Sequence, residues 1–285
     1  MLFITGATGS IGRELCQLLA QTNVPVRAMC RREDQLAHFR LLGLEAALAD
    51  VEQPKSLRRA MQGCERMFLL TAPTSSHTQQ EMTIIDAAVE AGITSIVRLS
   101  TADTNLSAKL SYAKSHAEID HYVRSKPLAW TLLRPTGFMQ NFLESAHPIA
   151  NGLLPHMMGD GQLSYIDSRD IALVAKQVLT EEGHQGATYY LTGSESLTVK
   201  QVAALFTHAL GYEVNEMPSS EADMRRALGF AGLSDWHIDS LIEQFKTVGG
   251  GYEIDVTEEV QRLTGQPPRT FAQFVQDYKD QFFTH

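Results

Sequence analysis

The sequence predicts an α/β protein with a doubly wound parallel sheet, followed by a smaller and mostly helical C-terminal domain. Two observations support this prediction. Short apolar segments alternate with amphipathic helical patterns over residues 2–134, which is typical of a parallel sheet covered by helices on both faces. A glycine-rich turn, with Gly6, Gly9 and Gly12, also separates the first strand from the first helix.

Six apolar segments predict the strands of the first part of the sheet. They are residues 2–5, 24–30, 45–50, 67–71, 96–100 and 131–134. Between them, apolar side chains recur at helical spacing and define the buried face of each helix. The positions are Ile11, Leu15, Leu18 and Leu19, then Leu36, Phe39 and Leu42, then Leu57, Ala60 and Met61, and then Met82, Ile85 and Val89. A helix over 112–124 completes the crossovers that join neighbouring parallel strands.

The alternation loosens after residue 135. The predicted elements there are a short strand over 163–166, a helix over 168–179 and a last strand over 187–191. The rest of the chain is mostly helical, and Thr198 is a good N-cap for the first of these helices. We therefore predict a sheet domain over 1–192, with 136–166 contributing to the substrate cleft, and a small substrate-side domain over 193–285.

The composition argues against several classes of function. The net charge is −9, so the chain lacks the basic surface that nucleic-acid binding requires. No stretch reaches the roughly 18 to 20 apolar residues that span a bilayer, and the first residues do not form a signal peptide. We expect a cytoplasmic protein with no nucleic-acid or membrane partner. The sequence does not indicate its oligomeric state.

The three cysteines are too few and too scattered for a disulfide framework or a zinc site. Cys16, Cys30 and Cys64 are best interpreted as small apolar side chains. We expect no metal site in this protein.

The turn with Gly6, Gly9 and Gly12 has the spacing of a phosphate-binding turn. Gly6 allows the chain to leave the strand sharply, Gly9 leaves room for a pyrophosphate, and Gly12 permits close packing of helix against sheet. The amides of Gly9, Ser10 and Ile11 and the helix dipole then favour an anion. This pattern predicts a Rossmann-type dinucleotide site; the alternative is a tight turn without a ligand. The candidate contacts are Gly6, Thr8, Gly9, Ser10, Ile11 and Gly12.

The end of the second strand indicates which dinucleotide is bound. An acidic residue there accepts hydrogen bonds from a ribose hydroxyl, whereas an arginine pairs with a 2′-phosphate. This strand ends in Arg31 and Arg32, with no acid before Glu33. Since a guanidinium suits a phosphate, we predict NADP(H) as the cofactor, with Arg31 as the contact. Alternatively, the two arginines only form a solvated helix start.

Two further segments fall at the carboxyl edge of the predicted sheet, where such folds bind ligands. Asp50 closes the third strand and either accepts from the adenine amine or caps the helix that starts near Pro54. Thr71, Ala72 and Pro73 follow the fourth strand and are expected beside the cofactor ribose.

Five segments resemble the NmrA-like group of atypical short-chain dehydrogenases/reductases. They are residues 5–12, 132–135, 138–141, 165–172 and 182–193. The resemblance spans most of the chain and is greatest with the branch of NADPH-dependent quinone reductases and triphenylmethane or azo-dye reductases. It implies a flavin-free oxidoreductase whose small C-terminal domain forms one wall of the substrate cleft. It also implies nicotinamide contacts within 134–141, with Pro135 and Phe138 at the cofactor and Phe138 and Asn141 at the substrate.

The candidate catalytic pair departs from the wider superfamily. Tyr112 and His116 occupy the place of the usual Tyr-x-x-x-Lys, in which the lysine lowers the tyrosine pKa. His116 shares a helix face with Tyr112, whereas Lys114 does not. A neutral imidazole supplies no permanent charge, so Tyr112 is either a weakly activated proton donor or part of the substrate wall.

Two functional hypotheses follow from these residues and the resemblance. In the first, an NADPH-dependent reductase passes hydride to a quinone-like or other conjugated small-molecule acceptor, which needs no enzyme acid. In the second, a non-catalytic redox sensor binds NADP(H) and acts through a protein partner.

Overall fold

A computed structural model shows that the chain forms two compact units. It describes residues 1–104, 106, 111–251 and 255–283. The first unit comprises Met1–Arg134 and Arg169–Tyr190, and the second comprises Pro135–Ser168 and Leu191–His285. No helix of the described ranges is long and apolar enough to cross a bilayer.

The elements are numbered in chain order. The strands are β1 (Leu2–Ile4), β2 (Val26–Cys30), β3 (Glu45–Leu48), β4 (Arg66–Leu69), β5 (Ser95–Leu99), β6 (Ala129–Pro135), β7 (Leu153–His156), β8 (Gln162–Leu163), β9 (Thr188–Leu191), β10 (Leu197–Thr198) and β11 (Asn215–Pro218). The helices are α1 (Ser10–Ala20), α2 (Glu33–Leu41), α3 (Pro54–Met61), α4 (His77–Ala91), α5 (Ser111–Arg124), α6 (Ala146–Ala150), α7 (Ser168–Thr180), α8 (Val199–Leu210), α9 (Glu221–Phe230), α10 (Asp235–Gly249), α11 (Glu259–Thr264) and α12 (Phe271–Asp277). Two 3₁₀ helices span Met139–Ser145 and Lys279–Phe282.

The seven-stranded sheet has the order β3-β2-β1-β4-β5-β6-β9. Every neighbouring pair from β3 to β6 is parallel; Leu2, for example, lies opposite Val26 on one side and Arg66 on the other. The strand order reverses between β1 and β4. Such a switch point is where doubly wound folds bind ligands, outside the carboxyl ends of the strands. The predicted fold class is thus confirmed.

Burial explains why these segments form strands and helices. β1 is buried along its whole length, as expected for a central parallel strand that is covered on both faces. On α1 the buried side chains include Ile11, Leu15 and Leu19, which are positions of the predicted helical stripe. Helix α1 therefore directs its apolar face to the sheet and its polar face to solvent. It starts directly after the glycine turn.

The second unit has its own aromatic core. Phe206 on α8 is fully buried, and its ring centroid lies 5.7 Å from Phe271 and 4.9 Å from Phe282. Thr198 caps α8 as predicted, since its hydroxyl accepts from the amide of Gln201. Two short strand pairs, β7 with β11 and β8 with β10, also belong to this unit.

The division of the chain differs from the predicted boundary at residue 192. Residues 135–168 group with the second unit, because Met139, Ile149 and Tyr165 pack into the same core as Phe206. Sequence periodicity marks a buried face but does not identify the core in which that face is buried. The predicted strand over 163–166 is also reduced to a two-residue pairing at Gln162–Leu163.

Candidate functional site

The glycine turn is packed tightly against its own backbone and the end of β4. Gly6 has a φ of +61°, a conformation that favours glycine, and a Cβ there would lie 2.7 Å from the carbonyl oxygen of Leu70. A Cβ on Gly12 would lie 2.2 Å from the carbonyl oxygen of Gly6. The hydroxyl of Thr5 accepts from the Leu70 amide at 2.9 Å and fixes the turn to β4. Packing alone therefore requires glycine at positions 6 and 12.

Gly9 is different, because no contact among the described residues requires a glycine there. A Cβ on Gly9 would have the Gly6 carbonyl oxygen, at 3.4 Å, as its nearest neighbour in the described structure, and the residue is exposed. Gly9 is also the N-cap of α1 and has no side chain to cap the helix. The amides of Ser10, Ile11 and Gly12 are the first-turn donors that helix geometry leaves unpaired. A glycine that clears the approach to three such amides fits an anionic ligand such as a pyrophosphate.

One predicted phosphate contact needs correction. The amide of Gly9 donates to the carbonyl oxygen of Gly6 at 3.0 Å, so it is used inside the turn. The candidate anion-binding amides therefore begin at Ser10. The sequence pattern does not show that the Gly9 amide is already hydrogen-bonded within the turn.

A basic cavity of about 280 Å³ adjoins the glycine turn. It is lined by Thr8, Arg13, Arg32, Gln35, His38 and Phe39. Arg13 is anchored by a bond from its guanidinium to the carbonyl oxygen of Thr8 at 3.2 Å, and Arg32 pairs with Asp34 at 2.9 Å. Arg31, the predicted 2′-phosphate contact, is exposed at the end of β2 and does not line this cavity. Sequence reasoning missed Arg13, although its position directly after Gly12 indicates proximity to the turn.

Asp50 and Thr71 lie at the carboxyl edge but make bonds within the protein. The Asp50 carboxylate accepts from the amide of Glu52 at 3.0 Å, which closes a local turn before α3. It does not cap α3, because the N-cap of that helix is Gln53, which has no side-chain cap bond. The Thr71 hydroxyl donates to the carboxylate of Glu81 at 2.9 Å. Ala72 and Pro73 are exposed in the segment that leads into α4.

A buried ion-pair network lies beneath this edge, and Arg98 on β5 is its centre. Arg98 is fully buried; its Nε donates to Glu81 of α4 at 2.6 Å and its Nη1 to Asp120 of α5 at 2.5 Å. Its Nη2 lies 3.1 Å from Nδ1 of His116. The guanidinium thus holds three side chains from two helices at once.

Asp120 extends the network to the end of β6. Its second carboxylate oxygen accepts from the Ser100 hydroxyl at 3.0 Å and from Nη2 of Arg134 at 2.7 Å. Arg134 in turn donates to the hydroxyl of Tyr190 on β9 at 2.9 Å. Two buried carboxylates are therefore balanced by two arginines, which offsets the cost of desolvating them.

Glu81 connects the network to α4 and to Thr71. Its Oε1 accepts from Thr71 and lies 3.1 Å from Nε2 of His77. The other ring nitrogen of His77, Nδ1, is buried and has no hydrogen-bond partner among the described residues. Burial alone would raise the pKa of Glu81, but the charge of Arg98 and the contact with His77 outweigh it and lower the pKa to about 2. Glu81 is thus a permanent carboxylate near neutral pH.

Tyr112 and His116 lie together above Arg98, with ring centroids 4.5 Å apart. Burial raises the pKa of Tyr112 to about 12, and the charge of Arg98 opposes this only in part. Burial, and then the charges of Arg98 and His77, hold the pKa of His116 well below its ordinary value. Lys114 is exposed, as helical geometry predicts. The candidate pair therefore consists of two neutral polar groups.

The remaining predicted residues belong to the second unit. Pro135 is buried at the end of β6, and Phe138 is half-buried and bridges to Ile166. Asn141 is exposed in the 3₁₀ helix Met139–Ser145. The neighbouring Gln140 donates to Asp167 at 2.8 Å, which anchors this segment.

Sequence reasoning missed most of the buried network. His77, Glu81 and Arg98 stand far apart in the chain, and each is surrounded by ordinary helix or strand residues. The one available signal was an arginine inside an otherwise apolar strand, since a buried charge requires a partner.

The fold and the glycine turn at its switch point define the class: this is a dinucleotide-binding α/β protein. The model of the NAD(P)H-binding family matches residues 6–182, and the chain belongs to this family. It is similar to an NAD(P)H azoreductase of Xenophilus azovorans, with 30% identity over 99% of each chain. It is also similar to quinone oxidoreductase 2 of Escherichia coli, with 30% identity over 96% of this chain and 97% of that protein.

A solved structure supports the same assignment. The NADPH-dependent quinone oxidoreductase of Escherichia coli in complex with NADPH matches with a TM-score of 0.88 at 30% identity, over 98% of this chain and 100% of that chain. The predicted family and the predicted dinucleotide cofactor are therefore confirmed. The regulatory hypothesis is not favoured, because these relatives are reductases.

Proposed function

We propose that this protein is an NADPH-dependent reductase that acts on a quinone-like or other conjugated small-molecule acceptor. The observation that carries the proposal is Gly9, a glycine that no packing contact requires, at the uncapped start of α1 and at the switch point of the sheet. Similarity to quinone and azo reductases over nearly the whole chain supports the same conclusion. When bound, NADPH supplies the hydride.

The first unit supplies the cofactor contacts in this proposal. The amides of Ser10–Gly12 hold the pyrophosphate, and arginines next to the turn hold the 2′-phosphate. The arginines are Arg13, Arg31 and Arg32. Thr71, Ala72 and Pro73 lie along the ribose, and the free oxygen of Asp50 accepts from the adenine amine. An anion in a cluster of arginines gains charge-assisted bonds, which is the basis for preferring NADPH over NADH.

The 135–141 segment supplies the acceptor contacts in this proposal. The resemblance of the 138–141 segment to NmrA-like reductases supports Phe138 as a contact of both nicotinamide and acceptor, with Pro135 at the nicotinamide. Asn141 carries an amide that is suited to a carbonyl oxygen of the acceptor.

Tyr112 and His116 contribute hydrogen bonding rather than charge. Tyr112 remains protonated near neutral pH because its pKa is raised, so its hydroxyl donates to an oxygen or nitrogen of the acceptor. A quinone accepts hydride without prior protonation, so Tyr112→Phe is expected to retain quinone reduction within about tenfold. The measurement is kcat with a quinone at saturating NADPH. A fall of several orders of magnitude would identify Tyr112 as an obligatory proton donor.

An acceptor panel tests the function directly. Purified protein is mixed with NADPH and with quinones, azo dyes or triphenylmethane dyes, and the absorbance of the reduced nicotinamide is followed. We expect turnover with at least one class and a lower rate with NADH. Gly9→Val is the control, since it blocks the approach to the helix amides. Tight NADPH binding without loss of absorbance with any acceptor would contradict the proposal and favour the sensor.

A further inference from the structure

Arg98 stands outside the motif formed by Tyr112 and His116, but it contacts that motif directly. In the superfamily motif a lysine four residues after the tyrosine brings a positive charge to the site. Here the position is His116, and Arg98, which is fully buried on β5, is the cation that contacts it. Its Nη2 lies 3.1 Å from Nδ1 of His116.

Hydrogen-bond chemistry fixes the direction of this contact. A guanidinium only donates, so Nδ1 of His116 must accept with its lone pair. A neutral imidazole then carries its proton on Nε2. A protonated His116 would place an N–H of the imidazolium against an N–H of the guanidinium, with two like charges in contact.

The guanidinium is unable to turn away from His116, because its other edges are held. Nε donates to Glu81 at 2.6 Å and Nη1 donates to Asp120 at 2.5 Å. Both carboxylates are buried and are fixed in turn, Glu81 by Thr71 and His77 and Asp120 by Ser100 and Arg134.

Among the described residues, the polar groups near His116 come from α4, α5, β5 and β6. The α4 helix brings His77, whose ring centroid lies 4.8 Å away, together with Glu81. Arg98 lies on β5, and Tyr112 and Asp120 share the helix of His116. Arg134 lies on β6. The charges of both arginines oppose protonation of the imidazole, and burial acts in the same direction.

We propose that Arg98 is a positioning residue that holds His116 as the neutral tautomer with its proton on Nε2. The site consequently keeps a hydrogen-bond donor, and not a cation, in the place of the superfamily lysine, and keeps it throughout the physiological pH range. A role of His116 in the reaction rests on the proposed function. The tautomer of His116 rests only on its contact with Arg98.

Nitrogen-15 NMR of the histidine-labelled wild-type protein tests the proposal without any variant of Arg98. The resonances of His116 are identified by their loss in His116→Gln. We expect Nδ1 to be unprotonated and Nε2 protonated, with no change between about pH 5 and about pH 8. A protonated Nδ1, or a titration within this range, would overturn the proposal.

Two matched variants separate positioning from a purely structural role. Arg98→Lys keeps the charge but lacks the planar fork of the guanidinium, so His116 should lose its fixed tautomer. We then expect kcat to acquire a new dependence on pH, whereas KM for NADPH should stay within about twofold of the wild-type value. Arg134→Lys alters the same Asp120 carboxylate but does not touch His116, so the His116 resonances should remain as in the wild type. An unchanged His116 spectrum in Arg98→Lys would overturn the proposal.

The two proposals fail in different ways. A fixed tautomer in a protein that reduces no acceptor would contradict only the proposed function. Acceptor reduction by a protein whose His116 titrates near its ordinary pKa would contradict only the role of Arg98.

Discussion

Gly9 and Gly12 share a turn, but their surroundings predict that the same substitution destabilises the protein strongly at Gly12 and little at Gly9. In Gly12→Ala the new Cβ lies 2.2 Å from a backbone oxygen, so we expect a loss of about 1–3 kcal/mol in the free energy of unfolding. In Gly9→Ala the nearest atom is at 3.4 Å, so stability should change by less than about 1 kcal/mol.

Cofactor binding should distinguish the same pair of variants. Gly9→Ala is expected to raise the Kd for NADPH at least about tenfold, because the methyl group occupies the approach to the helix amides. Denaturant unfolding and fluorescence titration with NADPH measure the two quantities. Wild-type affinity in Gly9→Ala would remove the main support for the cofactor site.

The arginines near the turn set the choice of cofactor in our proposal. Arg13→Ala, Arg31→Ala and Arg32→Ala should each weaken NADPH binding more than NADH binding. A charge-assisted bond contributes about 1.5–3 kcal/mol, which corresponds to roughly ten- to a hundredfold in Kd. Arg59→Ala, an exposed arginine on α3, is the control for net charge. Equal losses for the two cofactors would show that the arginine concerned does not contact the 2′-phosphate.

Strand β5 and helix α4 are joined by the ion pair of Arg98 with Glu81, which makes stability depend on pH in acid. The folded pKa of Glu81, about 2, lies below the ordinary value of 4.5. The contribution of ionised Glu81 to the free energy of unfolding is therefore complete above about pH 4.5, and it is lost as the pH falls toward 2.

Glu81→Gln should remove this contribution. We expect a destabilisation of about 3–5 kcal/mol at neutral pH, since one partner of a buried pair is lost, and a difference from wild type that shrinks as the pH approaches 2. Glu90→Gln on the same helix is the control, because its ion pair with Arg58 is exposed and contributes at most about 1 kcal/mol. Urea unfolding across this range is the measurement. A difference that does not depend on pH would contradict the assignment.

At the scale of the whole molecule, the net charge of −9 affects which acceptors are captured. A negative field attracts a cationic dye, and salt screens that attraction over about 10 Å at 0.1 M. With NADPH saturating, kcat/KM for a cationic triphenylmethane dye should fall several-fold between low and high salt, whereas that for a neutral quinone should change little. Stopped-flow assays at several salt concentrations test this, and equal salt dependence for both acceptors would contradict it.

Local patterns predicted the sheet and its helices well. Strands β1 to β6 and the cap at Thr198 follow from hydrophobic period and end signals, which depend on neighbours within a few residues. The assignment of residues 135–168 to the second unit did not follow from such patterns, because Met139 and Tyr165 join a core most of whose other members come from residues 197–282. Such a choice depends on long-range packing.

Some features of the candidate site follow from local sequence, and others depend on long-range packing. The sequence by itself determined the glycine turn, the family and the nicotinamide cofactor, because a phosphate-binding turn is a local motif of fixed spacing. Only the tertiary structure decided that Gly9 has no packing role, that its amide is used within the turn, and that Arg98 gathers Glu81, Asp120 and His116. These features arise because crossover connections bring residues that are distant in the chain to one edge of a parallel sheet. A buried charge is paired with a group that is close in space, which need not be close in the sequence.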